Sequence, residues 1–242
     1  GTEEGTPVTG KTLDGLSNNF GMGNLFAGGG AYQGMLSNVQ IWNKELISSE
    51  VTTLYNYGTP YKGTQPQSAN LQGWWELDAS ATFDGSNWSI PDASSNSNTG
   101  TSSGMNAANL VQSDLIINAP FDSFCLDFEQ ASSQNIDIGS STLFNSTSAF
   151  SFSTWCKLES YDNNYPAFIR LKTDQSTGFI MGFSDALSQY YGVWFGSSSN
   201  FLQAKTSGNI SADLLGVWKH ICLVYDGVDR TAISSYSLYI DG

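Results

Sequence analysis

The stretch WKHICLVYDGVDRTAISSYSLYIDG, residues 218–242, decides the fold. Its two runs His220–Tyr225 and Tyr236–Ile240 carry the period-2 pattern of β-strands, in which successive side chains point to opposite faces. Asp226-Gly227 follows the first run, and Asp-Gly pairs favour tight turns. The stretch therefore predicts two strands separated by turn chemistry.

The same two signals recur outward from this stretch. Strand-like alternation occurs at Ile136–Ile138 and Phe150–Cys156, and a further strand is predicted at Leu71–Asp78. Asp-Gly pairs also occur at 14–15, 84–85 and 241–242. Many short strands with such turns indicate an all-β sandwich or barrel.

One short helix is predicted near residues 48–56. Ser48 can cap the free amides, Glu50 stands in the first turn, and Gly58 suits the left-handed residue after the last turn. A helix of two turns is too short to be stable alone. We therefore expect Val51, Leu54 and Tyr55 to pack against the sheet.

Composition excludes two classes of partner. The 242 residues suffice for one large sandwich or two small domains, and only 13% of them are charged. A net charge of −13 opposes binding to nucleic acid, because that affinity comes largely from Lys and Arg. No apolar run is long enough to span a bilayer, so membrane insertion is not expected.

The cysteines predict neither a disulfide framework nor a zinc site. Cys125, Cys156 and Cys222 are odd in number, and no two of them form a Cys-x-x-Cys pair. Each stands in an apolar strand-like run. We expect them to be small buried hydrophobic residues.

Four blocks of the chain resemble the laminin G-like and pentraxin-like branch of the concanavalin A-like lectin/glucanase superfamily. They are GWWELD at 73–78 with DASSNSNTG at 92–100, CLDFEQASSQNIDIG at 125–139 with AFSFSTWCK at 149–157, WKHICLVYDG at 218–227 with YSLYIDG at 236–242, and GMLSNVQIWNKELISSEVTTLYNYG at 34–58. The resemblance implies a two-sheet antiparallel jelly-roll sandwich.

The order of the blocks departs from that family, because the closing strand and helix stand at the N-terminus. The resemblance divides the chain into closing elements at 1–60, a connection at 61–70, and opening and central strands at 71–242. A strand at Tyr236–Ile240 without a following strand would leave an apolar edge. We therefore expect 1–60 to pack with 120–242, as a circular permutant, a cut from tandem repeats, or by strand exchange with a neighbouring copy.

A calcium site is one hypothesis for the polar loop. Asp78, Asp92, Asn96 and Asn98 offer the oxygen ligands that calcium prefers, and the resemblance implies a structural calcium near this loop. Ser95 and Ser97 flank Asn96 where the family usually has Gly-Asn-Gly. The alternative is that Asp92 and the Asn residues hydrogen-bond to the backbone of their own turn.

Catalysis is not predicted. His220 is the single histidine, and Trp218-x-His220 resembles a structural feature of the family; Cys222 lies two residues away on the same strand face. The superfamily's glycan-cleaving enzymes use closely spaced carboxylates, and Glu76-Leu-Asp78 is the nearest match here. No Glu-x-Asp-x-x-Glu occurs, so we expect a protein that is not an enzyme.

The expected function is non-catalytic glycan or surface recognition by an adhesion module of a larger extracellular or virion structural protein. Partners would be a glycan, a surface protein or neighbouring copies. The alternative is a purely architectural module of a phage particle or filament with no small ligand. Aromatic residues in loop-like stretches are the candidate ligand contacts, or else core residues. They are Trp88, Tyr161, Tyr165, Tyr190, Tyr191 and Trp194.

Overall fold

The computed structural model describes residues 19–24, 30–115, 124–140, 149–160, 166–171, 179–183, 191–195, 201–202, 215–228 and 233–242. They form two antiparallel sheets and one short α-helix. The predicted all-β sandwich is confirmed. None of the helices in these ranges combines the length and the apolar character needed to cross a membrane.

The strands are short, as the turn signals indicate. They are β1 (Asn19–Met22), β2 (Gly34–Trp42), β3 (Leu71–Trp75), β4 (Thr82–Phe83), β5 (Trp88–Ile90), β6 (Gly100–Ser103), β7 (Leu110–Gln112), β8 (Phe124–Phe128), β9 (Asn135–Ser140), β10 (Phe150–Leu158), β11 (Ala167–Leu171), β12 (Phe179–Phe183), β13 (Tyr191–Phe195), β14 (Phe201–Leu202), β15 (Trp218–Tyr225) and β16 (Tyr236–Ile240). The helix α1 spans Ser48–Tyr55.

One sheet has the order β14-β13-β12-β11-β1-β9-β6-β5-β4. The other has the order β16-β15-β10-β2-β8-β7, with β3 also paired to β2. Strands β4 and β5 form a hairpin whose turn contains Asp84-Gly85, and Gly85 has the left-handed φ of +102° that this turn requires. The Asp-Gly signal at 84–85 therefore marks a turn.

Strand β2 lies in the middle of its sheet. On one side it pairs with β10, from Gly34↔Leu158 to Trp42↔Ser151. On the other side its first residues pair with β8 and its last residues with β3. In the other sheet, β1 lies between β9 and β11. Two strands from the first 42 residues are thus hydrogen-bonded to strands from the second half of the same chain.

The main core lies between the two sheets and is rich in aromatic rings. Phe20 of β1 stacks on Trp75 of β3 with ring centroids 5.4 Å apart, so this contact joins the two sheets. Phe152 and Phe168 are also fully buried there. Burial of such rings away from water is the main stabilising term of a sandwich of this size.

A second apolar cluster fixes α1 on the outer face of the seven-stranded sheet. Val51 and Leu54 of the helix are buried against Trp42, Cys222 and Val224. Tyr55 stacks on Trp155 of β10. The prediction that Val51, Leu54 and Tyr55 pack against the sheet is confirmed.

The ends of α1 differ from the sequence prediction. The N-cap residue is Ile47 rather than Ser48. The backbone N–H of Ile47 donates to Glu50 Oε2 at 2.9 Å, so the Glu50 side chain caps the start of the helix. At the other end, Asn56 is already left-handed, two residues before Gly58. The helix therefore ends at Tyr55, before Gly58, and the chain then enters a tight turn.

All three cysteines are buried and free. Burial raises the pKa of each thiol, to about 12 for Cys125, because the thiolate would lose its hydration. Their predicted role as small buried hydrophobic residues is confirmed.

Candidate functional site

A solvent-open groove lies where α1 ends, beside the end of β16. Its cavity volume is about 410 Å³, within the range of small-ligand sites. We call it the tyrosine groove. It is lined by Thr52, Thr53, Tyr55, Asn56, Tyr57, Tyr61, Asp241 and Gly242.

The turn after α1 holds one aromatic ring out in solvent. Asn56 and Tyr57 both have left-handed backbones, with φ of 44° and 56°. Asn tolerates this region, but for Tyr it is strained, and such strain concentrates at functional sites. The Asn56 side-chain amide donates to Thr59 Oγ1 at 2.9 Å and so braces the turn. The side chain of Tyr57 is consequently 97% exposed.

The floor of the groove is a stack of rings that leads into the sheet. Tyr55 lies on Trp155 with ring centroids 5.8 Å apart and planes inclined by 19°. The ring of His220 lies 6.1 Å from Tyr55 and 5.2 Å from Trp155. Gly242 passes so close to Tyr55 that a Cβ added there would meet its ring at 3.0 Å. Tyr55 is therefore a half-buried, fixed surface.

Asp241 also lines the groove, and its carboxylate is anchored by two donors. Lys219 Nζ donates to Oδ2 at 2.7 Å, and the backbone N–H of His220 donates to Oδ1 at 3.1 Å. A carboxylate has about four acceptor positions, so two donors leave room for more. Asp241 can therefore accept hydrogen bonds from hydroxyl groups in the groove.

Tyr61 closes the other side of the groove and is held by its own loop. Its carbonyl accepts from Gln65 Nε2 at 2.9 Å. Its ring lies directly over Gly63, where an added Cβ would come within 2.5 Å of the phenol oxygen. The next residue, Lys62, pairs with Glu76 and Asp78. The ring of Tyr61 is thus placed by backbone geometry and by a neighbouring ion cluster.

Of the six aromatic residues proposed from the sequence, Trp88 is the one whose side chain the structure describes. Trp88 is in β5 with 6% exposure, and its Nε1 donates to the Asn106 carbonyl at 2.9 Å, so its ring fills the core. Tyr191 and Trp194 lie in β13, of which only the backbone is described. Tyr161, Tyr165 and Tyr190 lie outside the described residues. Trp88 does not line the tyrosine groove.

The polar loop after β5 is organised by Asp92. Its carboxylate accepts from the backbone N–H groups of Trp74, Ser94 and Asn98 at 2.8 Å each, and from Ser94 Oγ. The side-chain amides of Asn96 and Asn98 both donate to the Gln72 carbonyl. The bonds of Asp92 to Ser94 and Asn98 lie within the turn, as the turn hypothesis predicts. The bonds to Trp74 and Gln72 instead tie the loop to β3.

The Asp78 carboxylate contacts Ser80 and Lys62. Its Oδ1 accepts from the Ser80 N–H at 2.9 Å, and its Oδ2 lies 3.2 Å from Lys62 Nζ. Within the described part of the chain, no cluster of three or more His, Cys, Asp or Glu residues could hold a metal ion. The calcium hypothesis stays a prediction, without support from these contacts.

The residues with catalytic character are engaged or buried. Glu76 and Asp78 both pair with Lys62, so these carboxylates form an ion cluster rather than flanking an open cleft. His220 is 1% exposed, and its Nε2 lies 2.8 Å from Ser153 Oγ. Burial lowers the pKa of His220 to about 3, so the ring is neutral at pH 7. A substrate in solution cannot reach it.

Comparison with known proteins agrees with this architecture. Residues 130–242 match the family model Laminin_G_3, described as the concanavalin A-like lectin/glucanases superfamily. The family resemblance seen in the sequence is confirmed for this part of the chain. The family is compatible with a non-catalytic binding module, although the superfamily also includes glycosidases. No curated protein and no solved structure gave a significant match.

The sequence contained one signal for the tyrosine groove that its analysis missed. The segment LYNYGTPY, residues 54–61, places three tyrosines within seven residues around a glycine. The first was predicted to pack on the sheet, but the other two received no role. Tyrosines so close together on a helix end and its following turn cannot all face the core, because the chain reverses there.

Proposed function

We propose that this protein is a non-catalytic recognition module that binds glycans in the tyrosine groove. One observation carries the proposal: Tyr55, Tyr57 and Tyr61 line one open groove together with the polar residues Thr52, Thr53 and Asp241. Sugar rings present apolar C–H faces and polar edges. Aromatic rings flanked by hydrogen-bonding groups complement both.

The groove suits binding because the frame around the exposed Tyr57 ring is held in place before a ligand arrives. Tyr55 is stacked on Trp155, the turn at Asn56–Tyr57 is braced by Thr59, and Asp241 is anchored by Lys219. A preorganised site loses less conformational entropy when a ligand binds. A family compatible with binding modules supports the same conclusion.

We also propose that the protein acts at an extracellular or virion surface. The composition supports this location, since neutral hydrogen-bonding residues dominate and only 13% of residues are charged. Glycans are abundant at such surfaces, so the location and the groove point to the same role. Localisation of the parent protein by antibody labelling of intact cells or particles tests it.

A glycan array tests the proposed function directly. We expect the wild-type chain to bind a subset of glycans, and Tyr57→Ala and Tyr61→Ala each to weaken that binding about ten-fold, since one lost stacking contact removes about 1.4 kcal/mol. Phe124→Ala is the matched control, because Phe124 is a partly exposed ring on β8 that does not line the groove. If the wild-type chain bound no glycan, the proposal would be wrong and the architectural hypothesis would remain.

A further inference from the structure

We infer that the tyrosine groove selects uncharged sugars and rejects anionic ones, such as sulfated sugars and uronic acids. This inference rests on the proposed function, because it concerns the ligand of the same groove. It follows from the hydrogen-bonding character of the walls and from the pairing of the nearby lysines.

The tyrosine hydroxyls of the lining can donate or accept, whereas Thr52, Thr53 and Asp241 are left with acceptor positions. Thr52 Oγ1 donates its proton to the Ser48 carbonyl at 3.0 Å, and Thr53 Oγ1 donates to the Ser49 carbonyl at 2.9 Å. Each hydroxyl therefore offers acceptor lone pairs to the groove, and the Asp241 carboxylate only accepts. A neutral sugar supplies O–H donors to such walls. Sulfate and carboxylate oxygens at neutral pH only accept, so they can bond to the tyrosine hydroxyls but meet the Asp241 carboxylate as one charged acceptor facing another.

Two lysines stand next to groove residues, Lys62 after Tyr61 in the chain and Lys219 against Asp241, and both already have carboxylate partners. Lys219 pairs with Asp241 at 2.7 Å, and Lys62 pairs with both Glu76 and Asp78. An anionic sugar would have to displace one of these carboxylates before it could use the charge. Like charges brought together in a binding site cost several kcal/mol.

The charge of the whole chain acts in the same direction. A net charge of −13 repels an approaching anion and lowers its association rate, and this effect weakens as salt is added. A neutral sugar meets no such barrier. The contacts in the groove and the long-range field therefore favour the same class of ligand.

Matched pairs of oligosaccharides test the inference. Cellohexaose, mannohexaose and neoagarohexaose are each compared with a derivative oxidised to carboxylates at C6, and binding to the full chain is measured by titration calorimetry. For the best-binding pair, we expect the neutral member to bind at least about ten-fold more tightly. Asp241→Asn removes the acceptor charge, and Asn tolerates the φ of +57° at this position. In that variant, we expect the preference to fall to within about three-fold.

The outcomes separate this inference from the proposed function. Equal or tighter binding of the oxidised sugars by the wild-type chain would overturn the inference and leave glycan binding intact. An Asp241→Asn variant that kept the full preference would overturn the role of the carboxylate wall. If no hexasaccharide bound and the glycan array was also blank, both the inference and the proposed function would be wrong.

Discussion

The phenol ring of Tyr55 stacks on the indole of Trp155 with 5.8 Å between centroids. Tyr55 belongs to the groove and Trp155 to the central region of the seven-stranded sheet, so this contact connects the candidate binding surface to the rigid scaffold. Tyr57 stands two residues further on and is almost fully exposed. The two tyrosines should therefore respond to substitution in opposite ways.

Tyr55→Ala should lower the free energy of unfolding by about 2 kcal/mol, because it removes a half-buried ring and its stacking partner. Tyr57→Ala should change it by no more than about 0.5 kcal/mol, since an exposed side chain has few contacts to lose. Urea denaturation followed by tryptophan fluorescence measures both. Similar losses in the two variants would contradict the assigned packing.

His220 should make stability depend on pH. Its pKa in the folded protein is about 3, against an ordinary value of 6.5. Between these two pH values the unfolded chain binds a proton at His220 and the native state does not. The contribution of His220 is therefore complete above pH 6.5 and declines as the pH falls toward 3. His220→Gln should flatten the curve of unfolding free energy against pH in this window, whatever its stability at pH 7.

Asp127 should act in the opposite direction over part of the same window. Burial, followed by the charges of Glu159 and Glu129, raises its pKa to about 6. The native state then holds a proton that the unfolded chain has lost above pH 4, so stability declines as the pH rises from 4 to 6. Asp127→Asn should remove this decline and raise stability at pH 7. A double variant with His220→Gln should show the two effects separately additive.

The Asp92 loop distinguishes the turn hypothesis from the calcium hypothesis. Asp92→Ala breaks hydrogen bonds to three backbone N–H groups, so we expect a loss of about 3 kcal/mol. If the turn contacts alone hold the loop, the unfolding temperature is the same in calcium and in EDTA. A lower unfolding temperature in EDTA that Asp92→Ala abolishes would establish a calcium site.

The three thiols should be inert in the native protein. All are buried with a raised pKa, and the thiolate is the reactive form. Ellman's reagent should modify none of them at pH 8 and all three after denaturation in guanidinium chloride. Rapid modification of the folded chain would show that at least one cysteine is accessible.

Much of the architecture was predictable because several strands carry their own local signal. The alternation at Phe150–Cys156 and His220–Tyr225 indicates β-structure by itself, and the dipeptide Asp84-Gly85 predicts a turn. The position of β2 between β8 and β10 was harder to predict. Its partners lie more than 80 residues away, and pairing at that distance depends on how the two sheets close around a shared core.

The candidate site was less predictable for a physical reason. Trp88 is a candidate binding ring because it stands in a polar stretch of the sequence, but its side chain is buried in the hairpin of β4 and β5. The exposure of Tyr57 results from two consecutive residues with left-handed backbones. Tyrosine rarely adopts this conformation, so the sequence does not predict it. Asp241 comes from the opposite end of the chain and reaches the groove only through the pairing of β16 with β15.

The most direct test of the groove is a map of amide chemical shifts during titration with the oligosaccharide that gives the strongest array signal. We expect shifts confined to residues 52–61 and 241–242 and their neighbours in β15, and we expect these shifts to be lost in Tyr57→Ala. Shifts confined to other loops, with residues 52–61 unmoved at saturation, would contradict this expectation.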